Sequence, residues 1–428
     1  MRMLVAALAM ALSFAAEAGV KIEQWHAPSG AKVVFVETHV LPILDVEVDF
    51  SAGSAYDPPG KAGLAGLTQG LLDGGAGGLD EEAISTRLVD LGAIMGGSTE
   101  ADRAGVTLRT LSYPEQRTAA LDLLRRVLAK PTFPEAVVTR ELARSIAAVQ
   151  EADTRPDAIA AKRFAAAIYP DHPYGVSATV ESMRRIDRDD LVAFHRDHYS
   201  ARRAVVSIIG DVTRAEAEAI AQSLTDDLPA GTPEGPLPPV TLPATQVVKV
   251  PHPASQSHIL IGLPGVRRGD PDYFPLLVGN YTLGGGGFVS RLVKEVREKR
   301  GYAYSVYSYF APRKLEGPFE IGLQTKRDQA AAALKVADDT LAGFVKSGPT
   351  PAELAAAKKN LVDGFGLRID SNAKLLGYLS TIGFFNLPLT YLDDFPAKVN
   401  AVTATQVREA FARRVKPENL VTVEVAAD

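Results

Sequence analysis

Two residues seven positions apart, Arg297 and Tyr304, could together hold an oxygen-bearing ligand. They lie in VREKRGYAYSV, Val296 to Val306, which predicts the end of a helix, a turn at Gly301 and the start of a strand. A guanidinium offers forked hydrogen-bond donors and a phenol adds its OH, so a peptide carbonyl or a carboxylate would suit both groups. The pattern alone leaves a second interpretation open, in which Arg297 only stacks on Tyr304.

Histidines are the next residues to consider, because hydrolytic zinc sites combine His with Asp or Glu. The chain has seven histidines and contains neither HExxH nor HxxEH. The one close pair, His195 and His198 in FHRDHY, could ligate zinc or could serve packing. An internal repeat described below places Phe411 and Arg414 at the equivalent positions, which favours packing or surface roles for the pair.

Other catalytic patterns are missing or have a simpler explanation. No GxSxG nucleophile motif occurs. The acidic run Asp80, Glu81 and Glu82 is typical of an N-cap and a first helical turn. The glycine run Gly284–Gly287 lacks a following Lys-Ser/Thr, so it favours close backbone approach or hinge motion over phosphate binding.

Composition narrows the class of protein. The 428 residues are 46% hydrophobic and 23% charged, which is typical of a globular chain with two to three domains. The net charge of -5, with no basic block, argues against a nucleic-acid partner. The chain has no cysteine, which excludes disulfides, thiol catalysis and cysteine zinc sites.

The N-terminus predicts a secretory signal peptide over residues 1–18. Arg2 precedes an apolar run from Leu4 to Ala16, and an A-x-A-like cleavage site ends at Ala18. The run is shorter than the ~20 residues that span a bilayer. We therefore expect a periplasmic bacterial protein without a membrane anchor after signal cleavage.

Six prolines mark residues 228–245 as a linker, because proline-rich segments favour extended conformations that do not pack. The linker separates residues 19–227 from residues 246–428. The two parts repeat each other, since Val33 and Val247 are 214 residues apart and Leu191 and Val407 are 216 apart in matching segments. A duplicated domain is predicted.

Each half alternates short β-branched runs with long helical patterns. KVVFV, AVVSII and LVTVEV predict strands, whereas PEAVVTRELARSIAAVQEA and PAELAAAKKNLVDGFGLRI predict helices with proline near the start. Clustered strands and long helices indicate an α+β class, with each sheet covered by helices.

The segment LGGGGFVSRL, followed by VREKRGYAY, resembles the insulinase/pitrilysin family of zinc peptidases, which includes the mitochondrial processing peptidase. LPILDVEVDFSAGSAYDPPGKAGLAGL, HPYG, FHRDHY and SHILIGLPG add to the resemblance, which covers essentially the whole mature chain. The resemblance implies two insulinase-type α/β-roll halves in a clam-like arrangement around a chamber.

Family members usually carry HxxEH on a helix after DPPGKAGLA, and the matching residues here read GLTQG. Gly66 and Gly70 stand where the histidines would be, and Gln69 stands where the catalytic glutamate would be. On the later helix that carries a further glutamate, the residues near the ligand position are Ala147 and Ala148. Glu151 lies about one helical turn beyond them.

The resemblance also implies a role for the Arg–Tyr pair. In the family such a pair grips the substrate backbone near the scissile bond, as oxyanion-type donors do. Arg297 and Tyr304 match it, and some family members divide the zinc site and this pair between two chains. We therefore predict a non-catalytic, peptide-binding subunit with no cofactor of its own, paired with a homologous HxxEH-bearing subunit that supplies zinc.

Two alternatives stay open. A proteolytically inert scaffold or binding protein of the same fold would also lack the zinc residues. A lone peptidase with an unrecognised zinc site is the third hypothesis. The substrate and the choice between self-pairing and hetero-pairing do not follow from the sequence.

Overall fold

The computed structural model describes residues 20–426 of the chain. The predicted signal peptide, residues 1–18, lies outside the described residues. Two mixed β-sheets, each packed against helices, dominate the structure, and a small two-stranded sheet pairs Gly75–Ala76 with Leu79–Asp80. The predicted α+β class with two similar halves is confirmed.

Six strands form the first sheet. In chain order they are β1 (Glu23–His26), β2 (Lys32–Glu37), β3 (Ile43–Phe50), β4 (Ile94–Thr99), β5 (Ala104–Leu111) and β6 (Ala204–Gly210). Their spatial order is β1-β2-β6-β3-β5-β4. Strands β2 and β6 run parallel, and the other neighbours are antiparallel.

Five strands form the second sheet. They are β7 (Gln246–Val250), β8 (Gln256–Val266), β9 (Ala303–Phe310), β10 (Gly317–Lys326) and β11 (Val421–Val425). Their order is β9-β10-β8-β11-β7, with β7 and β11 parallel. Read from β7, the order reproduces that of β2-β6-β3-β5-β4, so the two sheets share one topology. The repeat predicted from the sequence is therefore a structural repeat.

Helices connect and cover the sheets. Those of the first half are α1 (Leu64–Gly70), α2 (Glu81–Asp90), α3 (Pro114–Ala129), α4 (Glu135–Ala152), α5 (Pro156–Ile168), α6 (Val180–Arg184), α7 (Arg188–His198) and α8 (Arg214–Thr225). Those of the second half are α9 (Tyr273–Asn280), α10 (Ala330–Ser347), α11 (Pro351–Asp363), α12 (Asn372–Phe384), α13 (Tyr391–Ala401) and α14 (Ala404–Arg414). The two long helices predicted from the sequence are α4 and α11.

Strand β3 shows why each sheet has two different faces. Alternate side chains of a strand point to opposite sides. The even-numbered residues from Leu44 to Phe50 are fully buried in the core of the first half. Asp45, Glu47 and Asp49 therefore lie on the opposite face.

The two halves exchange one helix each. Helix α5 belongs to the first half in sequence but packs against β8 and β11, where the ring of Phe164 lies against Gly262. Helix α12 belongs to the second half but packs against β2, β3 and β6. At its end, Gly383 lies against the side chains of Val34 and Val205. The exchange ties the halves together through buried contacts.

The proline-rich segment is irregular, as predicted, but the expectation that it does not pack is wrong. Glu234, within it, accepts hydrogen bonds from Ser51 at 2.7 Å and from Tyr56, and it pairs with Lys314 of the second half. The carbonyl oxygen of Pro238 lies 2.9 Å from His172 Nε2. Proline makes a chain extended, but it does not stop other side chains in the segment from bonding to both halves.

No helix within residues 20–426 has the length and apolar character that crossing a bilayer requires.

Candidate functional site

A helix-to-strand turn positions Arg297. The helical segment Val293–Glu298 is wound as a π-helix, a rare form that is frequent at functional sites. Its side chains Val293 and Val296 are buried in the core of the second half, together with the preceding Leu292. Gly301 takes φ +66°, the left-handed conformation expected of a residue that ends a helix. The chain then enters β9, so the predicted helix, turn and strand are all present.

The guanidinium of Arg297 lies between two aromatic rings. Its central carbon is 4.9 Å from the ring centroid of Tyr304 and 4.9 Å from that of Phe288. Both rings are largely open to solvent, with Tyr304 83% exposed and Phe288 65% exposed. The structure therefore shows the pair stacked, as the second interpretation expects.

Stacking leaves the hydrogen-bonding edges of both groups free. Among the described residues, neither the Arg297 guanidinium nor the Tyr304 hydroxyl has a hydrogen-bond or ion-pair partner. The nearby carboxylate of Glu295 is already used, because it pairs with Lys299 at 2.6 Å and with Arg300 at 2.9 Å. Arg297 thus presents five N–H donors and an uncompensated charge at the surface, beside a phenol.

The glycine run Gly284–Gly287 leads into the loop that carries Phe288, and it lies close against Ser308 of β9. Asn280 donates to the carbonyl oxygen of Ser308 at 2.9 Å and accepts from its hydroxyl at 2.7 Å. A Cβ on Gly284 would lie 2.4 Å from Ser308 Oγ, so only glycine allows this approach. The predicted close backbone approach is confirmed. Phe288 itself was missed, although an aromatic residue directly after four glycines could have been noticed.

Strand β9 continues the site with two more tyrosines. Tyr307 and Tyr309 stack at 5.9 Å with an angle of 12° between their rings. Tyr309 lies opposite Glu320 on β10, and Glu320 Oε1 is 3.4 Å from the Tyr307 hydroxyl. Burial, and then the charge of Glu320, raise the pKa of Tyr307 to about 12. Tyr307 and Tyr309 line a cavity of about 200 Å³ next to α5, on the strand that also carries Tyr304.

The positions matched to a zinc motif lie on α1, in the first half. Gly66 and Gly70 are exposed, and a Cβ built on either would meet no other atom within 4 Å. Gln69 instead uses its amide, which donates to the carbonyl oxygen of Gly105 at 3.3 Å. The backbone has room for ligating side chains here, but this chain supplies none.

The later helix adds no ligand. Ala147, Ala148 and Glu151 are all exposed on α4. Across residues 20–426, no three His, Asp or Glu side chains gather in an arrangement suited to a metal ion. Glycine offers no donor and an alanine methyl offers none either, so the residues present do not fit the zinc site that the family implies.

His195 and His198 have packing roles. His195 is buried, with Nε2 2.8 Å from the carbonyl oxygen of Leu128, and burial lowers its pKa. His198 Nδ1 lies 3.1 Å from the carbonyl oxygen of Ser51, and burial lowers its pKa as well. The two rings bond to different backbone segments, which agrees with the interpretation favoured from the repeat. The predicted N-cap at Asp80 is confirmed by its bond from the amide of Ala83 at 2.8 Å.

Two family models match the chain. The model described as Insulinase (Peptidase family M16) matches residues 32–180. The model described as Peptidase M16 inactive domain matches residues 185–361. The first range holds the positions Gly66, Gln69 and Gly70, and the second holds Arg297 and Tyr304.

Curated relatives align over most of their length. An uncharacterized zinc protease of Streptomyces coelicolor is 27% identical over 400 residues, which is 91% of this chain and 86% of that protein. The non-peptidase homolog YmxG of Helicobacter pylori is 23% identical over 381 residues, or 88% and 87% of the two chains. The likeness therefore extends to proteins named as peptidases and to one named as a non-peptidase.

Solved structures share the fold. The crystal structure of a peptidase M16 inactive domain from Pseudomonas fluorescens is 36% identical with a TM-score of 0.92, covering 96% of this chain and 98% of that one. The periplasmic protease PqqL from Escherichia coli is 15% identical with a TM-score of 0.80. That alignment covers 96% of this chain and 46% of the longer protein, so it bears on the fold alone.

Proposed function

Because the chain belongs to the insulinase family, peptidase family M16, we propose that it is the non-catalytic, substrate-binding subunit of a heterodimeric zinc peptidase. A match described as an inactive domain and a relative named a non-peptidase homolog both support a non-catalytic member of the family. The pairing with a second subunit goes further and rests on the site.

One observation carries this proposal: the chain has lost one part of the family's site and kept another. On α1, Gly66 and Gly70 have no side chain and Gln69 is a neutral amide that cannot act as a general base. In the other half, the Arg297 guanidinium and the Tyr304 hydroxyl stay open to a ligand. The free hydrogen-bond donors of this pair favour a chain that binds a ligand over one that only needs the fold.

In this proposal Arg297 and Tyr304 bind a substrate peptide at the active site of the partner. The forked guanidinium suits a backbone carbonyl, and donors aimed at an oxygen that gains charge in the transition state favour reaction. The partner is a homologous subunit with HxxEH, and the zinc would be bound there. This chain then contributes binding and orientation of the peptide.

The proposed location is the periplasm. The apolar segment from Leu4 to Ala16 and the site ending at Ala18 support export.

An inert scaffold is the second candidate, and one observation favours it. Arg297 already has two stacking partners, Phe288 and Tyr304, at 4.9 Å each, so the pair has a role without a ligand. A scaffold would assemble with other proteins but would not alter the cleavage of a peptide.

Reconstitution tests the proposal. The mature chain is mixed with the homologous HxxEH-bearing subunit of the same organism, and the mass of the complex and the cleavage of a fluorogenic peptide are measured. We expect a heterodimer, and cleavage that needs both chains. A partner that is fully active alone and forms no complex would overturn the proposal, as would peptidase activity of this chain alone with near-stoichiometric zinc. A complex that forms without any gain in cleavage would favour the scaffold.

A further inference from the structure

A second cavity, lined by neither Arg297 nor Tyr304, lies in the second half. It has a volume of about 400 Å³ and lies between the start of α9, the loop after α12, helix α13 and the start of α14. Sites for small molecules span roughly 300–1,000 Å³. The side chains that matter for its chemistry are those of Arg268, Asp270, Phe274, Leu387, Tyr391 and Lys398.

Most of the wall is apolar and held in place by packing. The Phe274 ring lies 5.8 Å from that of Phe395 and 6.4 Å from that of Tyr391. Tyr391 and Leu387 are each only 8% exposed. Aromatic rings with such neighbours keep a fixed position, so the cavity is preformed for an apolar group.

Arg268 is the exception in this wall. Its Nε is buried and has no hydrogen-bond partner, and among the described residues no carboxylate pairs with its guanidinium. Its only described side-chain partner is the Phe385 ring, whose centroid lies 5.4 Å from the guanidinium carbon. A buried donor without an acceptor is costly, and it needs an explanation.

The neighbouring acids do not supply that acceptor, because they bond to other arginines. Asp270 accepts two hydrogen bonds from Arg414, at 2.9 and 2.7 Å. Asp272 accepts from Arg413 at 2.6 Å and from Arg414 at 2.9 Å. Among the described residues, Arg268 is therefore a cation of the cavity wall that is left without a carboxylate.

The second cation of the wall is already neutralised. Lys398 pairs with Asp394 at 3.1 Å, and its ammonium lies 5.7 Å from the centroid of the Phe274 ring. The cavity thus combines aromatic and aliphatic walls with one unpaired guanidinium. Such a guanidinium is complementary to a carboxylate, because the charges are opposite and the forked donors fit its two oxygens.

We propose that this cavity binds a small carboxylate with an apolar body, which Arg268 holds by its charged end. Phe274, Leu387 and Tyr391 enclose the apolar part. The ligand's carboxylate supplies the acceptor that the buried Nε lacks. This inference does not depend on the proposed subunit role.

Calorimetry with decanoate and decan-1-ol tests the proposal on the full mature chain. We expect decanoate to bind with 1:1 stoichiometry and decan-1-ol to bind at least tenfold more weakly. Arg268→Gln should weaken decanoate at least tenfold. The matched control is Arg267→Gln, which removes the same charge from an exposed neighbour outside the wall and should leave binding unchanged.

A second variant covers the case in which Arg268→Gln does not fold. Ala401 lines the cavity at the end of α13, so Ala401→Trp should fill it while keeping the guanidinium, and should also abolish binding. No binding of decanoate at millimolar concentration, equal binding of decan-1-ol, or undiminished binding by a folded Arg268→Gln or Ala401→Trp would each overturn the proposal.

Discussion

The hydroxyl of Ser380, on α12 of the second half, donates a 2.7 Å hydrogen bond to the buried carboxylate of Asp49, on β3 of the first half. Arg103 lies 3.5 Å from the same carboxylate and also bonds Ser380. Burial raises the pKa of Asp49. The contact between the exchanged helix and the first sheet is therefore polar at its centre and sensitive to protonation.

Glu47, two residues before Asp49 on the same face, should make this contact weaken as pH rises. Burial, and then the charge of Asp49, raise its pKa from 4.5 to about 8. Between these values the unfolded chain has released the proton while the folded chain still holds it. The stabilisation is thus complete below pH 4.5 and is lost as pH rises toward 8.

We expect the wild-type chain to lose on the order of 2 kcal/mol of unfolding free energy between pH 5 and pH 8 through this group. Glu47→Gln should flatten the profile, and urea denaturation at several pH values measures it. Glu418→Gln, at an exposed carboxylate, is the control and should follow the wild type. Parallel profiles for Glu47→Gln and the wild type would contradict the assignment.

Two glycines of α12 provide a test of the helix exchange. A Cβ at Gly383 would lie 2.7 Å from side-chain atoms of both Val34 and Val205, whereas one at Gly377 would meet nothing within 4 Å. Gly383→Ala should therefore destabilise the chain by about 1–3 kcal/mol through overpacking. Gly377→Ala should stabilise it by about 0.5–1 kcal/mol, because alanine favours the helix.

Chemical denaturation of both variants measures these effects. They replace the same residue type in the same helix, so the difference between them isolates the contact with the first sheet. Equal effects of the two substitutions would show that α12 does not pack there.

The sequence predicts the repeat, the strands and the long helices, because each depends on local pattern and on a constant spacing. It does not predict that α5 packs against the second sheet and α12 against the first. Helix α5 precedes the proline-rich segment in the chain, and only contacts with residues far away in sequence decide which sheet it covers. Local periodicity carries no information on that choice.

The candidate site shows the same limit. Arg297, Tyr304 and the glycines of α1 could be found by spacing and by resemblance. Phe288 completes the stack on Arg297 from a separate loop. Arg268 has no carboxylate partner because Asp270 and Asp272 bond to Arg414 instead. Both are properties of the packed structure, which single-residue patterns do not contain.

Restoring ligands on α1 tests whether only side chains are missing there. Residues 66 and 70 are one helical turn apart and so share a face. Gly66→His, Gln69→Glu and Gly70→His together should fold, because both added Cβ atoms have free space, and should bind Zn²⁺ at least tenfold more tightly than the wild type. Calorimetry with ZnCl₂ measures the affinity.

The control for that variant is Gly66→Ala, Gln69→Glu and Gly70→Ala. It also replaces both glycines by residues with higher helix propensity, but it adds no imidazole. It should bind Zn²⁺ as weakly as the wild type. A folded histidine variant with no gain in affinity would show that the backbone of α1, and not only its side chains, has departed from a metal-binding geometry.

The Arg297–Tyr304 pair should matter for cleavage and hardly at all for stability. In the reconstituted complex, Arg297→Ala should lower kcat/KM by about 10²-fold, since removing one oxyanion-type donor costs about 10²–10³. Tyr304→Phe should lower it less, because it removes one hydroxyl and keeps the stacking ring. Arg300→Ala is the control, since Arg300 is exposed and pairs with Glu295.

Stability separates this role from mere packing. A cation stacked on exposed rings contributes about 0.5–1 kcal/mol, so Arg297→Ala should leave the unfolding free energy almost unchanged. The pair has no other bond among the described residues. A large loss of cleavage with little loss of stability would therefore show that the pair acts on the substrate and does not hold the fold together. Unchanged cleavage by Arg297→Ala combined with Tyr304→Phe, in a complex of verified mass, would remove the pair from the reaction and leave the scaffold as the better account.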